Sequence, residues 1–120
     1  MKTILVADDE EDLRTIVHMT LEDPQYRILE AADGNAVLEL VEKESPDLLI
    51  LDWMMPGMNG LEVIKMLRDS PTTQHLPVIL LTANDSSQDL VELEELGMFA
   101  FLKKPFSPLQ LLKQVHTALR

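Results

Sequence analysis

The chain has 120 residues, enough for one domain and too few for two. It contains no cysteine, which excludes disulfides and thiolate zinc sites, and 46% of it is apolar, which allows a full core. Its formal charge of −11 makes direct nucleic-acid binding a poor expectation, because such binding neutralises phosphates with Lys and Arg. The first apolar run, residues 3–7, stops at Asp8. It is too short for a secretory signal core or a membrane span, so a soluble cytoplasmic protein is expected.

Apolar runs then alternate with amphipathic segments along the chain. Residues 3–7 read as a first strand, and residues 10–21 as a helix with Leu13, Ile16, Val17 and Leu21 on one face. Residues 26–31 read as a second strand near a sheet edge, since Arg27 and Glu30 interrupt it. Residues 35–44 are helical through Val37, Leu38 and Val41, and Ser45-Pro46 breaks the helix. Residues 48–51 form a buried-type third strand, followed by a loop over 54–60 that carries Pro56, Gly57, Asn59 and Gly60. Residues 61–68 form the third helix, 70–73 a polar loop and 77–81 a strongly apolar fourth strand. A fourth helix is expected over 86–96, stopped by Gly97, and a fifth strand over 98–102. The last helix covers 108–120, with Pro108 in its first turn.

Strands that alternate with helices predict an α/β fold: a five-stranded parallel sheet with five helices on both faces. Right-handed crossovers leave few topologies, and sites in such sheets form beyond the carboxyl ends of the strands. Asp8-Asp9 end the first strand, Asp52 the third and Thr82 the fourth, and Lys104 follows the fifth. In the flavodoxin-like order 2-1-3-4-5, strands one and three are neighbours, so three carboxylates crowd together. Two carboxylates about 4 Å apart repel by roughly 4 kcal/mol at an effective dielectric near 20. Such a cluster calls for raised pKa values or a cation, and Mg²⁺ suits carboxylate oxygens. Taken singly, these residues have blander explanations. Asp8 or Asp9 could cap the first helix, Thr82 could be a turn residue and Lys104 a solvated lysine.

The joint pattern resembles a response-regulator receiver domain over essentially the whole chain. The residues that carry the likeness are Val6-Ala7-Asp8-Asp9-Glu10, Leu51-Asp52-Trp53-Met54-Met55-Pro56-Gly57-Met58-Asn59-Gly60, Leu81-Thr82-Ala83 and Phe101-Leu102-Lys103-Lys104-Pro105-Phe106. The resemblance implies that Asp52 is a phosphoacceptor, phosphorylated by a histidine kinase or a histidine phosphotransfer protein. It implies that Asp8, Asp9, Asp52 and the Met54 backbone carbonyl hold Mg²⁺. Thr82 would bond the arriving phosphoryl group and Lys104, not Lys103, would pair with it. The Lys104-Pro105 bond would be cis. Thr82 and Phe101 would act as the switch, on a surface formed by the fourth helix, fifth strand and fifth helix. The chain would catalyse only its own phosphorylation and dephosphorylation.

Two positions that tune phosphoryl lifetime in the family are here Met54 and Asn84. Met98-Phe99-Ala100 also departs from the family's usual small and polar residues. Phe99 and Phe101 thus mark a possible face for a homodimer or a downstream protein, unless Phe99 tucks back near Leu93 and Leu96. Other readings fit less well. A haloacid-dehalogenase phosphatase needs Asp-x-Asp after strand one, and the acids here are adjacent. A flavin domain needs a phosphate-cradling loop where residues 8–12 are all acidic. A receiver-fold interaction module that works without phosphorylation should lack one of the matched residues, and none is missing.

Overall fold

The strands are β1 (Lys2–Ala7), β2 (Tyr26–Ala31), β3 (Leu48–Asp52), β4 (Val78–Thr82) and β5 (Ala100–Lys103). All pair in parallel in one sheet of order β2-β1-β3-β4-β5, the flavodoxin-like order expected from the sequence. In this computed structural model the described residues are 1–53, 55, 58–82, 92 and 94–120. Four helices are complete among them: α1 (Glu11–Leu21), α2 (Gly34–Glu44), α3 (Gly60–Asp69) and the C-terminal α4 (Pro108–Ala118). Most of the helix expected over residues 86–96 lies outside the described residues, although Glu92, Glu94 and Glu95 are helical.

The period-2 geometry of the strands splits the core into two layers. Leu5, Leu49, Leu51, Val78 and Leu80 face one side, where they meet Val37 and Val41 of α2 and Val63, Ile64 and Leu67 of α3. Ile4, Val6, Leu48, Ile50, Ile79 and Leu81 face the other, against Val17 and Leu21 of α1 and Leu111 and Val115 of α4. Both faces are covered, so β3 and β4 are buried along their full length and read as unbroken apolar runs. β2 lies at an edge and carries the exposed Arg27 and Glu30, as its sequence suggested.

Caps fix where the helices begin. Asp33 accepts from the Ala36 amide, and Asn59 with Glu62 and Ser107 with Gln110 form reciprocal capping boxes. α2 ends at Ser45, whose φ of 47° is left-handed, and Pro46 prevents continuation. Strand bounds shift by one or two residues from expectation: β1 starts at Lys2, β3 reaches Asp52, β4 starts at Val78 and β5 reaches Lys103. β4 reaches Thr82, and β5 starts at Ala100 rather than residue 98. Apolar character runs on through Met98 and Phe99, but ladder pairing begins only at Ala100 with Ile79.

Candidate functional site

Register brings the polar strand ends together. Ala7 lies opposite Leu51, Asp52 opposite Leu81 and Thr82 opposite Lys103. The residues just beyond these pairs therefore share one rim. Asp8 is fully buried, Asp52 is 4% exposed and Thr82 7%. They are the buried polar residues among the described ones.

Lys104 links them. Its Nζ lies 3.1 Å from Asp52 Oδ1 and 3.4 Å from Asp8 Oδ2. Its backbone N–H donates to the Thr82 carbonyl at 2.8 Å, which anchors the lysine beside the threonine. The Lys104-Pro105 bond is cis. Burial alone would lower the Lys104 pKa, but the carboxylates of Asp52 and then Asp8 outweigh it and hold the ammonium above its ordinary value. Lys103 is exposed and lies on the β5 ladder, so the lysine at the site is the one that precedes the proline.

Helix capping does not account for the acids. The N-cap of α1 is Glu10, with no side-chain cap bond. Asp8 Oδ1 instead accepts from the Glu10 amide at 2.9 Å, a local turn that aims Oδ2 at Lys104. Asp9 and Glu10 are exposed, and carboxylate oxygens of Asp8, Asp9 and Glu10 lie within 4.8 Å of one another. Several hard oxygen donors in so small a space suit a divalent ion such as Mg²⁺, and Lys104 joins Asp52 to the group. Glu10 was not singled out in the sequence, where it looked like the first residue of a helix. Met54 and Asn84 lie outside the described residues.

Phe101 is partly buried and packs on the core layer of α2 and α3. Phe99 is 40% exposed, and its amide donates to the Val78 carbonyl at 2.9 Å. No helix among the described residues is long and apolar enough to cross a membrane.

Comparison with known proteins finds relatives along almost the whole chain. Residues 4–116 match the response regulator receiver domain family. The chain is 41% identical over 119 residues to the alkaline phosphatase synthesis transcriptional regulatory protein PhoP of Bacillus subtilis, covering 99% of this chain and 49% of that protein. It is 36% identical to the phosphate regulon transcriptional regulatory protein PhoB of Klebsiella pneumoniae, over 99% of this chain and 52% of that one. The chain thus spans about half the length of these relatives. Among solved structures, the chemotaxis response regulator CheY4 of Vibrio cholerae superposes with a TM-score of 0.89 at 34% identity, over 98% of both chains. The match in sequence and fold runs almost from end to end, and it shows that the chain belongs to the response regulator receiver domain family of two-component signalling.

Proposed function

We propose that the chain is a phosphorylation switch that accepts a phosphoryl group on Asp52 from a histidine kinase, a histidine phosphotransfer protein or a small phosphodonor. The observation that carries this reading is the Lys104 ammonium, held 3.1 Å from the buried Asp52 carboxylate and 3.4 Å from Asp8. Asp52 attacks the phosphorus in line. The bond from phosphorus to the donor nitrogen or oxygen breaks, its electron pair leaves with the donor, and Asp52 becomes an acyl phosphate. Lys104 offsets charge on the transferring oxygens, and its raised pKa keeps it an ammonium at neutral pH. The Thr82 hydroxyl donates to a phosphoryl oxygen. Asp8, Asp9, Asp52 and the Met54 carbonyl would hold Mg²⁺, with Glu10 beside them; the ion supplies positive charge that draws phosphoryl oxygens to a cluster of carboxylates.

The product adds about 1.5 to 2 negative charges at the rim. Thr82 is drawn towards them and Phe101 follows into the space it leaves, which alters the surface around β5 and α4. A charge of −11 fits protein partners rather than nucleic acid, and the setting is the cytoplasm. Incubation with Mg²⁺ and acetyl phosphate, followed by intact-mass measurement, tests the reading. One phosphoryl mass is expected for the native chain and none at this site for Asp52→Asn, whose amide is not a nucleophile. Undiminished labelling of Asp52→Asn would sink the proposal.

A further inference from the structure

Arg14 stands in the first turn of α1, with its amide bonded to the Glu10 carbonyl at 3.0 Å. Its side chain reaches back to the rim. Nη1 donates to the Asp8 backbone carbonyl at 2.7 Å, and Nε donates to Glu30 Oε1 on β2 at 3.2 Å. Glu30 is gripped from its other oxygen by His18 Nδ1 at 2.8 Å. The Arg14 side chain is only 17% exposed, which does not suit a lysine-like solvated charge. Asp8 then has every polar group fixed. Its amide donates to the Ala31 carbonyl, its carbonyl accepts from Arg14, Oδ1 accepts from the Glu10 amide and Oδ2 faces Lys104.

We infer that Arg14 is a positioning residue for the acidic rim: by clamping the Asp8 carbonyl against β2 through Glu30, it sets the direction of the Asp8 carboxylate and the spacing of Asp8, Asp9 and Glu10. This inference rests on the proposed binding of Mg²⁺ at that rim. Its sign separates it from simple electrostatics. A guanidinium next to carboxylates competes with a divalent cation, so loss of its charge alone would tighten Mg²⁺ binding. Loss of a clamp loosens it, as removal of outer-shell partners does at metal sites. Lysine keeps the charge but cannot present two donors in a fixed fork, so charge and clamp can be tested apart.

Trp53 is the chain's only tryptophan and adjoins Asp52, so its emission can follow a Mg²⁺ titration of the intact chain. Thermal melts without Mg²⁺ report folding independently. Arg14→Ala and Arg14→Lys should each raise the half-saturating Mg²⁺ concentration about tenfold. Glu30→Ala, which frees one prong of the clamp, should raise it less. If Arg14→Ala fails to fold, Arg14→Lys carries the test. Native half-saturation in Arg14→Lys, tighter binding in Arg14→Ala, or a lowered melting temperature with unchanged half-saturation would each overturn the inference. A native chain with no saturable response to Mg²⁺ would instead remove the metal reading on which it stands.

Discussion

At the scale of single residues, Asp9 and Glu30 show how charge at this rim divides between function and folding. Asp9 is exposed, is not the cap of α1 and sits within 4.8 Å of two other carboxylates. Asp9→Ala therefore relieves repulsion without removing a structural bond. The Mg²⁺-free melting temperature should stay level or rise, by the equivalent of at most about 0.5 kcal/mol for so exposed a group. The stabilisation that Mg²⁺ confers on the native chain should fall. A clear loss of Mg²⁺-free stability would show that Asp9 supports the helix after all. Glu30 works in the other direction. Its hydrogen bond from His18 lowers its pKa; burial opposes this and Arg14 adds to it. A lowered pKa means that the stabilisation is present above the unfolded-state value of about 4.3 and is lost as pH falls through the folded value. Glu30→Gln should thus flatten the acid limb of stability below about pH 4.5. At neutral pH it should cost less than about 1 kcal/mol, because the side chain is 36% exposed. Urea titrations from pH 3 to 7 would show this, and an unchanged acid limb would refute it.

At the scale of elements, Arg68 holds the C-terminal end of α3 to two loops. Its Nη1 donates to the carbonyls of Thr73 at 3.3 Å and Leu76 at 2.8 Å, while Nε and Nη2 donate to Leu96 and Gly97 at 2.8 and 2.9 Å. The carbonyls of Leu96 and Gly97 come at the stop of the helical stretch before β5, so one guanidinium ties α3, the approach to β4 and the approach to β5 together. Burial lowers its pKa, yet it remains charged. Arg68→Lys should lose about 2 kcal/mol, because an ammonium cannot serve carbonyls on both sides. Denaturant unfolding would measure this, and a loss under about 0.5 kcal/mol would mean that water replaces the bonds. Neither Arg68 nor Arg14 was legible in the sequence, for one physical reason. Both bind backbone carbonyls, which every residue has, so no residue type marks those bonds; the side-chain partner of Arg14, Glu30, lies sixteen residues away on another element. The rim was legible because Asp8, Asp52 and Thr82 each follow an apolar run and Lys104 comes one residue past another, and a parallel sheet gathers such ends. Alternation and charge made buried and edge strands legible: β3 and β4 are uninterrupted apolar runs and became inner strands, while β2 carries Arg27 and Glu30 and lies at an edge; the full order 2-1-3-4-5 was legible only through the resemblance to receiver domains. The start of β5 was not legible, because Met98 and Phe99 share the apolar character of a strand, and the Phe99 amide bonds the Val78 carbonyl, yet paired register begins only at Ala100.

At the scale of the whole molecule, one end of the sheet carries the acidic rim while the edge at β5 carries an apolar group in solvent. An apolar residue in such a run normally reads as core, yet Phe99 is 40% exposed while Phe101, two residues on, packs inward. Successive odd positions in an extended segment should share a face, so the irregular backbone before Ala100 is what separates them. The exposed ring borders the strand whose Phe101 is proposed to respond to Asp52, and apolar groups so placed suit a partner surface. Phosphorylation itself adds negative charge to a chain already at −11, so charge alone opposes association of two copies. Any gain in association must come from a rearranged β5 face, and a bias of a few kcal/mol is enough to shift a two-state surface decisively. The Mg²⁺–beryllofluoride form should therefore self-associate, or bind a downstream protein, through this face more strongly than the unmodified form. Self-association should strengthen with added salt, which screens the repulsion between like-charged copies. Phe99→Ser should weaken either interaction at least severalfold while Asp52 still takes up one phosphoryl mass. Sedimentation at low and high salt tests the homotypic branch, and a monomer under all conditions leaves only the heterologous one. If Phe99→Ser leaves both unchanged, the exposed ring is not part of the output surface.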